Sequence, residues 1–455
     1  MSDNGATPRN GPWVDVAPLV DVEQGLLNRR VFVDEQIYRQ ELEQIFARCW
    51  LYLGHETQLP DPHDYFTTTM GEDPVIVTRD QDGRIRAFHN SCRHRGMTVC
   101  PTDAGHARVF RCPYHYWTYS SDGKLIGVPR EKELYGGLDK ARWGLIEVAQ
   151  LDTFAGLIFA TWDPEAPPLR DYLGDMAYYL DVILNRSEGG TEIIPGPHRW
   201  VVQTNWKIPA ENFAGDIYHI AGLHSPMVHM NMRDPLGHQG YAIHTAGGHS
   251  FASEFGGTYQ AKGNEIGYAA HMEKLKARVA AEKGEAAAKL IPMGVSLTFP
   301  NLMVMDSAKF RFIRVLHPRG PGATELHTWA VVDKALSPEL KRETTKQIPL
   351  YTSAAGLFVM DDEETWTEAM VGARGVIGAR YPLNYQLGLG GEIPVDESEH
   401  FKGSGMPGEM NRTWPDEGNM RNFHRRWRDL MSGRAWTDLP SATTRPVASR
   451  NGGPR

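Results

Sequence analysis

Two short cysteine–histidine pairs constrain the fold of this chain more than any other feature. Cys92 and His94 are separated by one residue, and seventeen residues later Cys112 and His115 are separated by two. Each pair lies beside a predicted β-hairpin, so two loops can each bring one sulfur and one nitrogen to a single metal centre. A [2Fe–2S] cluster with thiolates on one iron and imidazoles on the other requires this ligand set. The pairs therefore predict a histidine-ligated iron–sulfur cluster.

Two other interpretations are compatible with the same four residues. Two cysteines and two histidines also form zinc sites, although zinc knuckles usually pair cysteine with cysteine. Four unrelated core residues would require two of the chain's four cysteines to fall beside histidines by chance. The other two, Cys49 and Cys100, match neither pair, and we expect them to be small buried residues.

The sequence around the pairs has the pattern of β-strands. Apolar segments flank turn signals at residues 81–83 and 122–123, and a further apolar segment lies before a proline-rich linker. The predicted strands cover residues 74–78, 84–88, 116–119, 124–128 and 156–162. Residues 51–165 are therefore predicted to form a small all-β domain.

The remaining chain is predicted to be α+β. Asp34 is a candidate N-cap for a helix that runs to residue 50, residues 265–290 favour helix, and residues 310–315 and 326–332 favour neighbouring strands. The expected division of the chain is an N-terminal tail and helix (1–50), the β domain (51–165), a catalytic domain that packs with the N-terminal helix (166–440) and a loose tail (441–455).

Composition excludes several classes of protein. The chain has 41% hydrophobic and 23% charged residues, which is ordinary for a globular protein. No apolar run reaches the roughly 18 residues of a membrane helix, and a net charge of −8 indicates no nucleic-acid surface. Because the N-terminus also lacks a secretion signal, we expect a cytoplasmic protein that binds neither membranes nor nucleic acid.

A second group of residues indicates a mononuclear metal site. Asp216 and His219 are three residues apart, which places them on one face of a helix. His219 and His224 would lie about 140° apart on a regular helix, so we expect Gly222 to distort the turn between them. Two histidines and one distant carboxylate form the facial triad of non-haem Fe(II) oxygenases. The acidic run at residues 361–364 is the best source of that carboxylate.

The chain resembles the catalytic α subunits of Rieske non-haem iron ring-hydroxylating dioxygenases over residues 38–362, with a weaker match at 421–427. Segments outside the metal motifs, such as residues 46–51 and 169–174, share the similarity. The resemblance implies a catalytic domain of the helix-grip type with a central antiparallel sheet. It assigns the cluster to Cys92, His94, Cys112 and His115, and the mononuclear Fe(II) to His219, His224 and Asp362.

The resemblance also implies how the two centres communicate. Asp216 matches an aspartate that hydrogen-bonds His219 in its own subunit and His115 of the partner subunit, which requires a trimer of α subunits. Asn212 matches an asparagine near the iron. One departure concerns Tyr116, where the family usually has glycine, and we expect it to alter the subunit contact or the solvent shielding of the cluster.

The substrate pocket is implied by similarity and is mostly apolar or aromatic. This lining suits a flat aromatic ring and favours a neutral aromatic, with an aromatic acid as the alternative. The expected pocket residues are Asn212, Phe213, Ile217, Ile220, Thr352 and Phe358.

The implied activity is O₂-dependent cis-dihydroxylation of an aromatic ring. Electrons would come from NAD(P)H through a separate reductase and a ferredoxin, since the chain has no dinucleotide fingerprint. A small β subunit in an α3β3 assembly is the expected partner. The alternatives are a Rieske monooxygenase or demethylase, an electron carrier that kept only the cluster, and a zinc-organised structural protein.

Overall fold

The protein is described by a computed structural model that covers residues 13–225, 240–254, 265–292, 294–307 and 310–443. Across these ranges, no helix combines the length and the apolar character that a membrane crossing needs. The first twelve residues and most of the predicted C-terminal tail lie outside the described residues. The tail prediction is wrong for Ala442, which is buried and accepts a hydrogen bond from the Asp175 backbone at 3.2 Å.

The N-terminal segment carries a capped helix, as the sequence predicts. The Asp34 carboxylate accepts hydrogen bonds from two backbone N–H groups of the first turn, at 2.9 and 3.3 Å. The helix then continues as one π-helical turn, Leu42–Phe46, and ends before residue 50. The elements of this segment are β1 (Val20–Asp21), β2 (Leu26–Leu27), α1 (Arg30–Val33) and α2 (Glu35–Glu41).

The next part, which we call the β region (residues 51–162), contains the elements β3 (Leu51–His55), β4 (Asp64–Met70), β5 (Asp73–Arg79), β6 (Ile85–His89), β7 (Ala104–His106), β8 (Val109–Arg111), β9 (Thr118–Ser120), β10 (Leu125–Gly127), α3 (Glu131–Leu134), β11 (Gln150–Phe154) and β12 (Leu157–Thr161). The strands form three small antiparallel sheets with the orders β11-β12-β3, β6-β5-β4-β7 and β10-β9-β8. Both predicted hairpins are confirmed, as β5–β6 and β9–β10. Cys49 and Cys100 are buried, as expected.

The rest of the chain is built around one antiparallel ten-stranded sheet. The strands are β13 (Thr191–Ile193), β14 (His198–Val202), β15 (Gly240–Thr245), β16 (His249–Glu254), β17 (Gly294–Thr298), β18 (Leu302–Asp306), β19 (Arg311–Pro318), β20 (Thr324–Asp333), β22 (Glu392–Pro394) and β23 (Glu409–Asn411), while β21 (Leu383–Asn384) pairs with β2. The order of strands in the sheet is β13-β20-β19-β18-β17-β16-β15-β23-β22, with β14 also pairing with β20. The predicted strand pair is confirmed as β19–β20.

Helices pack on this sheet and carry the candidate site. They are α4 (Leu169–Leu173), α5 (Met176–Leu184), α6 (Lys207–Gly215), α7 (Glu265–Lys283), α8 (Glu285–Ala288), α9 (Pro338–Thr352), α10 (Val359–Arg374) and α11 (Gly418–Met431). The predicted helical stretch at 265–290 is confirmed as α7 and α8. The Asn419 amide on α11 donates to Ala214 O at 2.7 Å and to Phe251 O at 3.2 Å, so it ties α6 to the sheet.

A buried ion pair joins the end of α2 to the start of α6. Lys207 Nζ lies 2.5 Å from Glu41 Oε1, and both side chains are fully buried. The indole N–H groups of Trp206 and Trp427 donate to the same carboxylate at 2.8 and 2.7 Å. The ammonium also faces the Phe32, Trp206 and Trp427 rings at 5.3–5.7 Å. The pair therefore links the N-terminal helix, α6 and the C-terminal helix α11.

We expect Lys207→Met to lower the free energy of unfolding by about 3–5 kcal/mol, because it leaves the Glu41 carboxylate buried without its cation. Adding Glu41→Gln should recover part of the loss by removing that charge. Denaturant unfolding followed by circular dichroism measures both variants. Arg39→Met, at an exposed i,i+4 pair with Glu35, is the control and should change stability by less than about 0.5 kcal/mol. Equal effects of the Lys207 and Arg39 variants would contradict the role of the buried pair.

Candidate metal centres

Two loops at the tip of the β region have the same backbone hydrogen-bond pattern. The N–H of Cys92 donates to Met97 O at 2.8 Å, and that of Cys112 donates to Trp117 O at 2.9 Å. In each loop the residue four positions after the cysteine donates back to the cysteine carbonyl, at 2.9 and 3.0 Å. The two loops therefore present their cysteine and histidine side chains in equivalent ways.

The side chains of the two pairs converge from these loops. Cys92 and Cys112 are buried free cysteines, and burial together with the neighbouring Cys92 thiol raises the pKa of the Cys112 thiol. The rings of His94 and His115 lie 4.5 Å apart between centroids, and Nδ1 of His94 is buried without a hydrogen-bond partner. Two cysteine thiols that interact with each other, together with two adjacent histidine rings, supply the donor set of a cluster with two ligands of each kind.

Tyr116 occupies a backbone conformation that favours glycine. Its φ is +58°, and Gly96 at the equivalent position of the other loop has a φ of +72°. The tyrosine side chain is 59% exposed, so it projects from the loop beside His115 into solvent. Closure of the loop explains why glycine suits this position, and the expected effect of Tyr116 on subunit contact stays a prediction.

The prediction that Asp216 and His219 share one helix is wrong. Helix α6 ends at Gly215, and His219 lies in a separate 3₁₀ turn, Tyr218–Ala221. Gly215 has a φ of +131°, and a Cβ built there would lie 2.6 Å from Asn419 Nδ2 and 2.7 Å from Ala252 Cβ. Only glycine fits at position 215, so helix α6 ends there and Asp216 lies outside it. Gly222 ends the 3₁₀ turn with an ordinary φ of −93°.

Asp216 contacts His219 within the segment that follows this break at Gly215. Its Oδ2 lies 3.4 Å from Nδ1 of His219, and its Oδ1 lies 3.4 Å from the backbone nitrogen of the same residue. Burial disfavours the charged imidazolium, but the Asp216 and Asp362 carboxylates outweigh this effect and raise the pKa of His219. A carboxylate beside the outer nitrogen of an imidazole fixes the ring's orientation.

His219, His224 and Asp362 come together in three dimensions. Each offers one ligand atom, and these atoms all lie within 4.8 Å of one another. Asp362 Oδ1 lies 3.6 Å from Nε2 of His219 and 3.3 Å from Nε2 of His224. The same oxygen is buried without a hydrogen-bond donor. Two imidazoles and one unsatisfied carboxylate oxygen form a donor set that suits Fe(II).

The carboxylate comes from the acidic run that the sequence indicates. Asp362 lies in the first turn of α10 and is buried, whereas the side chain of Asp361 is 43% exposed and approaches Nδ1 of His224 at 3.7 Å. Just before the helix, the Phe358 ring lies edge-on to the His224 ring at 5.4 Å. The geometry therefore favours Asp362 over its neighbour as the third ligand.

A cavity of about 170 Å³ adjoins the three residues. Every residue that the sequence places in the pocket lines it, namely Asn212, Phe213, Ile217, Ile220, Thr352 and Phe358. The sheet supplies a further wall that the sequence does not indicate, formed by Val295, Met305 and Phe312. Because side chains along β17–β19 point alternately to the two faces of the sheet, the sequence can predict that these residues face inward. It cannot predict that they border this cavity.

We expect Gly215→Ala to destabilise the fold by more than about 2 kcal/mol, because it combines backbone strain with a steric clash. The variant should also lose Fe(II) binding, since the break that positions His219 cannot form. Thermal unfolding and metal analysis of the purified protein measure both effects.

Gly222→Ala is the matched control. A Cβ at this position would meet only His219 O, at 3.9 Å, and the φ is compatible with alanine. We expect its stability and iron content to equal those of the wild type. A Gly215→Ala protein that behaves like the control would show that the break does not depend on glycine.

Comparison with known proteins identifies the parts of the chain. Residues 49–150 match the family Rieske [2Fe-2S] domain, and residues 169–433 match the family Ring hydroxylating alpha subunit (catalytic domain). The second match covers more than half of the chain. An electron carrier without a catalytic domain and a zinc-organised structural protein are therefore both excluded.

Individual relatives agree with these matches over nearly the full length. The chain is 37% identical to Biphenyl 2,3-dioxygenase subunit alpha of Rhodococcus jostii (strain RHA1), over 97% of both chains. It is 36% identical to Benzene 1,2-dioxygenase subunit alpha of Pseudomonas putida, over 96% of this chain and 99% of the relative. Its fold is similar to that of naphthalene 1,2-dioxygenase with indole bound in the active site, with a TM-score of 0.86 and 32% identity over 93% of this chain and 96% of that chain. The predicted resemblance and fold class are thereby confirmed: the chain belongs to the Rieske non-haem iron ring-hydroxylating dioxygenases, as an α subunit with a Rieske domain and a catalytic domain.

Proposed function

We propose that this chain is the terminal oxygenase component that adds both atoms of O₂ to an uncharged aromatic ring as a cis-diol. The observation that carries the proposal is the position of His219, His224 and Asp362 in the wall of a largely apolar cavity. When bound, the Rieske cluster supplies single electrons and the mononuclear Fe(II) supplies O₂ activation beside the substrate.

The residues around the cavity bind and orient the ring. Phe213, Phe312 and Phe358 supply flat apolar surface, and an apolar cavity of about 150 Å³ suffices to bind benzene in another protein. The 170 Å³ cavity is therefore large enough for one aromatic ring. Asn212 adds an amide near the metal ligands, and Asp216 holds the His219 ring in place.

The charges at the cavity favour an uncharged substrate over an aromatic acid. Among the described lining residues there is no lysine or arginine, whereas the carboxylates of Asp216, Asp306 and Asp362 all border the space. Asp306 is held by Arg186 at 2.6 and 2.8 Å, so those guanidinium donors are already used. A substrate carboxylate would enter without a partner, which is costly in a buried site.

We further propose that the chain works as a trimer, in which Asp216 hydrogen-bonds His115 of the partner subunit. Asp216 is one-third exposed beside His219, and the neighbouring Tyr218 is 60% exposed, so this edge is accessible to another chain. His115 lies in the exposed tip of the β region, next to Tyr114 and Tyr116. An α3β3 assembly with a small β subunit, and a ferredoxin and reductase that bring electrons from NAD(P)H, complete the proposed cytoplasmic system.

The proposal is tested by turnover with isotopically labelled O₂. The protein, its reductase, a ferredoxin and NADH are incubated with benzene, biphenyl or benzoate. We expect a cis-dihydrodiol carrying two labelled oxygens from benzene or biphenyl and none from benzoate. A product with one labelled oxygen would instead support a Rieske monooxygenase, and turnover of benzoate alone would support an aromatic acid as substrate.

We expect His219→Ala to abolish hydroxylation and leave the Rieske signal in the electron paramagnetic resonance spectrum intact. The substitution removes His219, one of the three proposed ligands of the mononuclear iron, from the 3₁₀ turn after α6, while the β region keeps its own four cluster ligands. Iron and sulfide analysis should show about one iron fewer per chain at unchanged sulfide. Full hydroxylation by this variant would show that the mononuclear site is misassigned.

Asp216→Asn should slow electron transfer between the centres while both remain loaded. Asparagine keeps the shape of the side chain but loses the charge that orients the His219 ring. Single-turnover oxidation of the reduced cluster in the presence of benzene and O₂ measures the rate, and we expect a loss of at least about 10-fold. Glu364→Gln, at an exposed carboxylate two residues after the third ligand, is the control. Equal single-turnover rates for both variants would contradict the bridging role.

A further inference from the structure

Arg314 is a fully buried arginine beneath the wall of the candidate site. Its Nε donates to Thr328 Oγ1 at 2.8 Å, and its Nη2 donates to Thr352 O at 2.5 Å. Within the described ranges no ion pair includes this guanidinium, and its Nη1 is buried without a hydrogen-bond partner. The Asp362 and Glu363 carboxylates attract the guanidinium only from beyond ion-pair distance. Because burying a charged group without a close counter-ion is costly, stability alone is a weak reason for an arginine here.

Aromatic rings surround the guanidinium. Its central carbon lies 4.8 Å from the ring centroid of Phe312, 5.1 Å from that of Trp200 and 5.4 Å from that of Phe213. Burial lowers the pKa of Arg314 to about 10, so the group stays a cation at neutral pH. Two of these rings, Phe213 and Phe312, line the cavity. The cation therefore lies directly behind the surface that would bind the aromatic substrate.

The carbonyl that Arg314 holds belongs to the last residue of α9. Thr352 ends this helix, where a cation also complements the helix dipole. The junction that follows folds back on the same turn, since the backbone N–H of Leu357 donates to Leu350 O at 3.0 Å and that of Phe358 donates to Tyr351 O at 3.2 Å. Fixing the end of α9 therefore fixes the junction between α9 and α10.

This junction delivers the third metal ligand. Phe358 packs on His224, and Asp362 follows within the first turn of α10. A second contact reaches the same turn, because the Trp200 indole N–H donates to the Glu363 carboxylate. The Trp200 ring is also one of the rings that face Arg314. The guanidinium thus contacts both groups that hold the turn carrying Asp362, namely the Thr352 carbonyl at the end of α9 and the Trp200 ring.

We propose that Arg314 is a positioning residue that sets the place of Asp362 and of the aromatic wall relative to His219 and His224. The inference rests on the proposed function of those three residues as iron ligands. Arg314 acts through Thr352 and Trp200, and it touches neither the substrate nor the metal.

The test compares Fe(II) affinity in Arg314→Met and in the wild type. Methionine keeps much of the length and apolar character but loses the charge and both hydrogen bonds. The mononuclear iron is removed with a chelator, retention of the cluster is verified by sulfide analysis and electron paramagnetic resonance, and Fe(II) binding is measured by equilibrium dialysis. We expect affinity to fall about 10- to 100-fold, the usual effect of losing a group that orients a ligand. Arg314→Lys, which keeps the charge, should recover part of the loss.

A pair of less disruptive substitutions tests the role of Arg314 if the Arg314→Met protein does not fold. Thr328→Val removes the hydroxyl that accepts the hydrogen bond from Arg314 Nε. Thr324→Val, on the same strand β20, is the control, because it removes a buried hydrogen bond of equal length, 2.8 Å, from the Thr324 hydroxyl to Thr204 O. We expect Thr328→Val to weaken Fe(II) binding several-fold and Thr324→Val to leave it unchanged.

Two results would overturn the inference. One is a folded Arg314→Met protein with wild-type Fe(II) affinity, whatever its melting temperature, and the other is equal affinity in the two threonine variants. A wild-type chain that binds no Fe(II) would overturn the proposed function as well. Failure of the iron site itself therefore shows in the wild type, whereas failure of the role of Arg314 shows only in the variants.

Discussion

The buried pair of Glu41 and Lys207 is the contact on which the arrangement of the catalytic part depends. Two opposite charges buried away from water are tolerated only when they form an ion pair and their remaining hydrogen-bonding atoms are satisfied. Here that condition brings together the N-terminal helix, the start of α6 and the indole of Trp427 on α11. Since α6 begins at this pair and ends at Gly215, the pair and the glycine fix the two ends of the helix that leads to Asp216.

The two halves of the candidate iron site are supported in different ways. On one side, the tight fit of Gly215 between Asn419 and Ala252 directs Asp216 and His219 into place. On the other side, a helix end held by Arg314 leads to Asp362. In both cases buried polar groups set the position of a helix terminus, the end of α6 before His219 and the end of α9 before the turn that leads to Asp362. Asp362 Oδ1, the carboxylate oxygen that faces both imidazoles, remains unsatisfied, as a site prepared for an ion requires.

The sequence predicts the parts of this structure whose signal is local. Hairpin turns, the Asp34 cap and the residue types of the two ligand sets are all read from short windows, and the structure brings the predicted ligands together. The helix through Asp216 is wrong because the break at Gly215 is imposed by Asn419, some 200 residues away in the chain. Arg314 and Glu41 are missed because charged residues are normally exposed, and only tertiary structure shows their burial. The domain boundaries at residues 50, 165 and 440 stay predictions.

The proposed iron ligands His224 and Asp362 are far apart in the sequence, so an ion that binds both would affect stability as well as catalysis. Between His224 and Asp362 the described part of the chain includes six strands of the large sheet, β15–β20. An ion bound by both residues is therefore a cross-link that closes a long loop, and such cross-links stabilise by limiting the freedom of the opened chain. Binding to the folded form alone also shifts the folding equilibrium in proportion to the supply of the ion. With the proposed ligands, iron binding would therefore also protect the folded chain against local opening and proteolysis, so a shortage of iron would lower both the stability and the turnover of the protein.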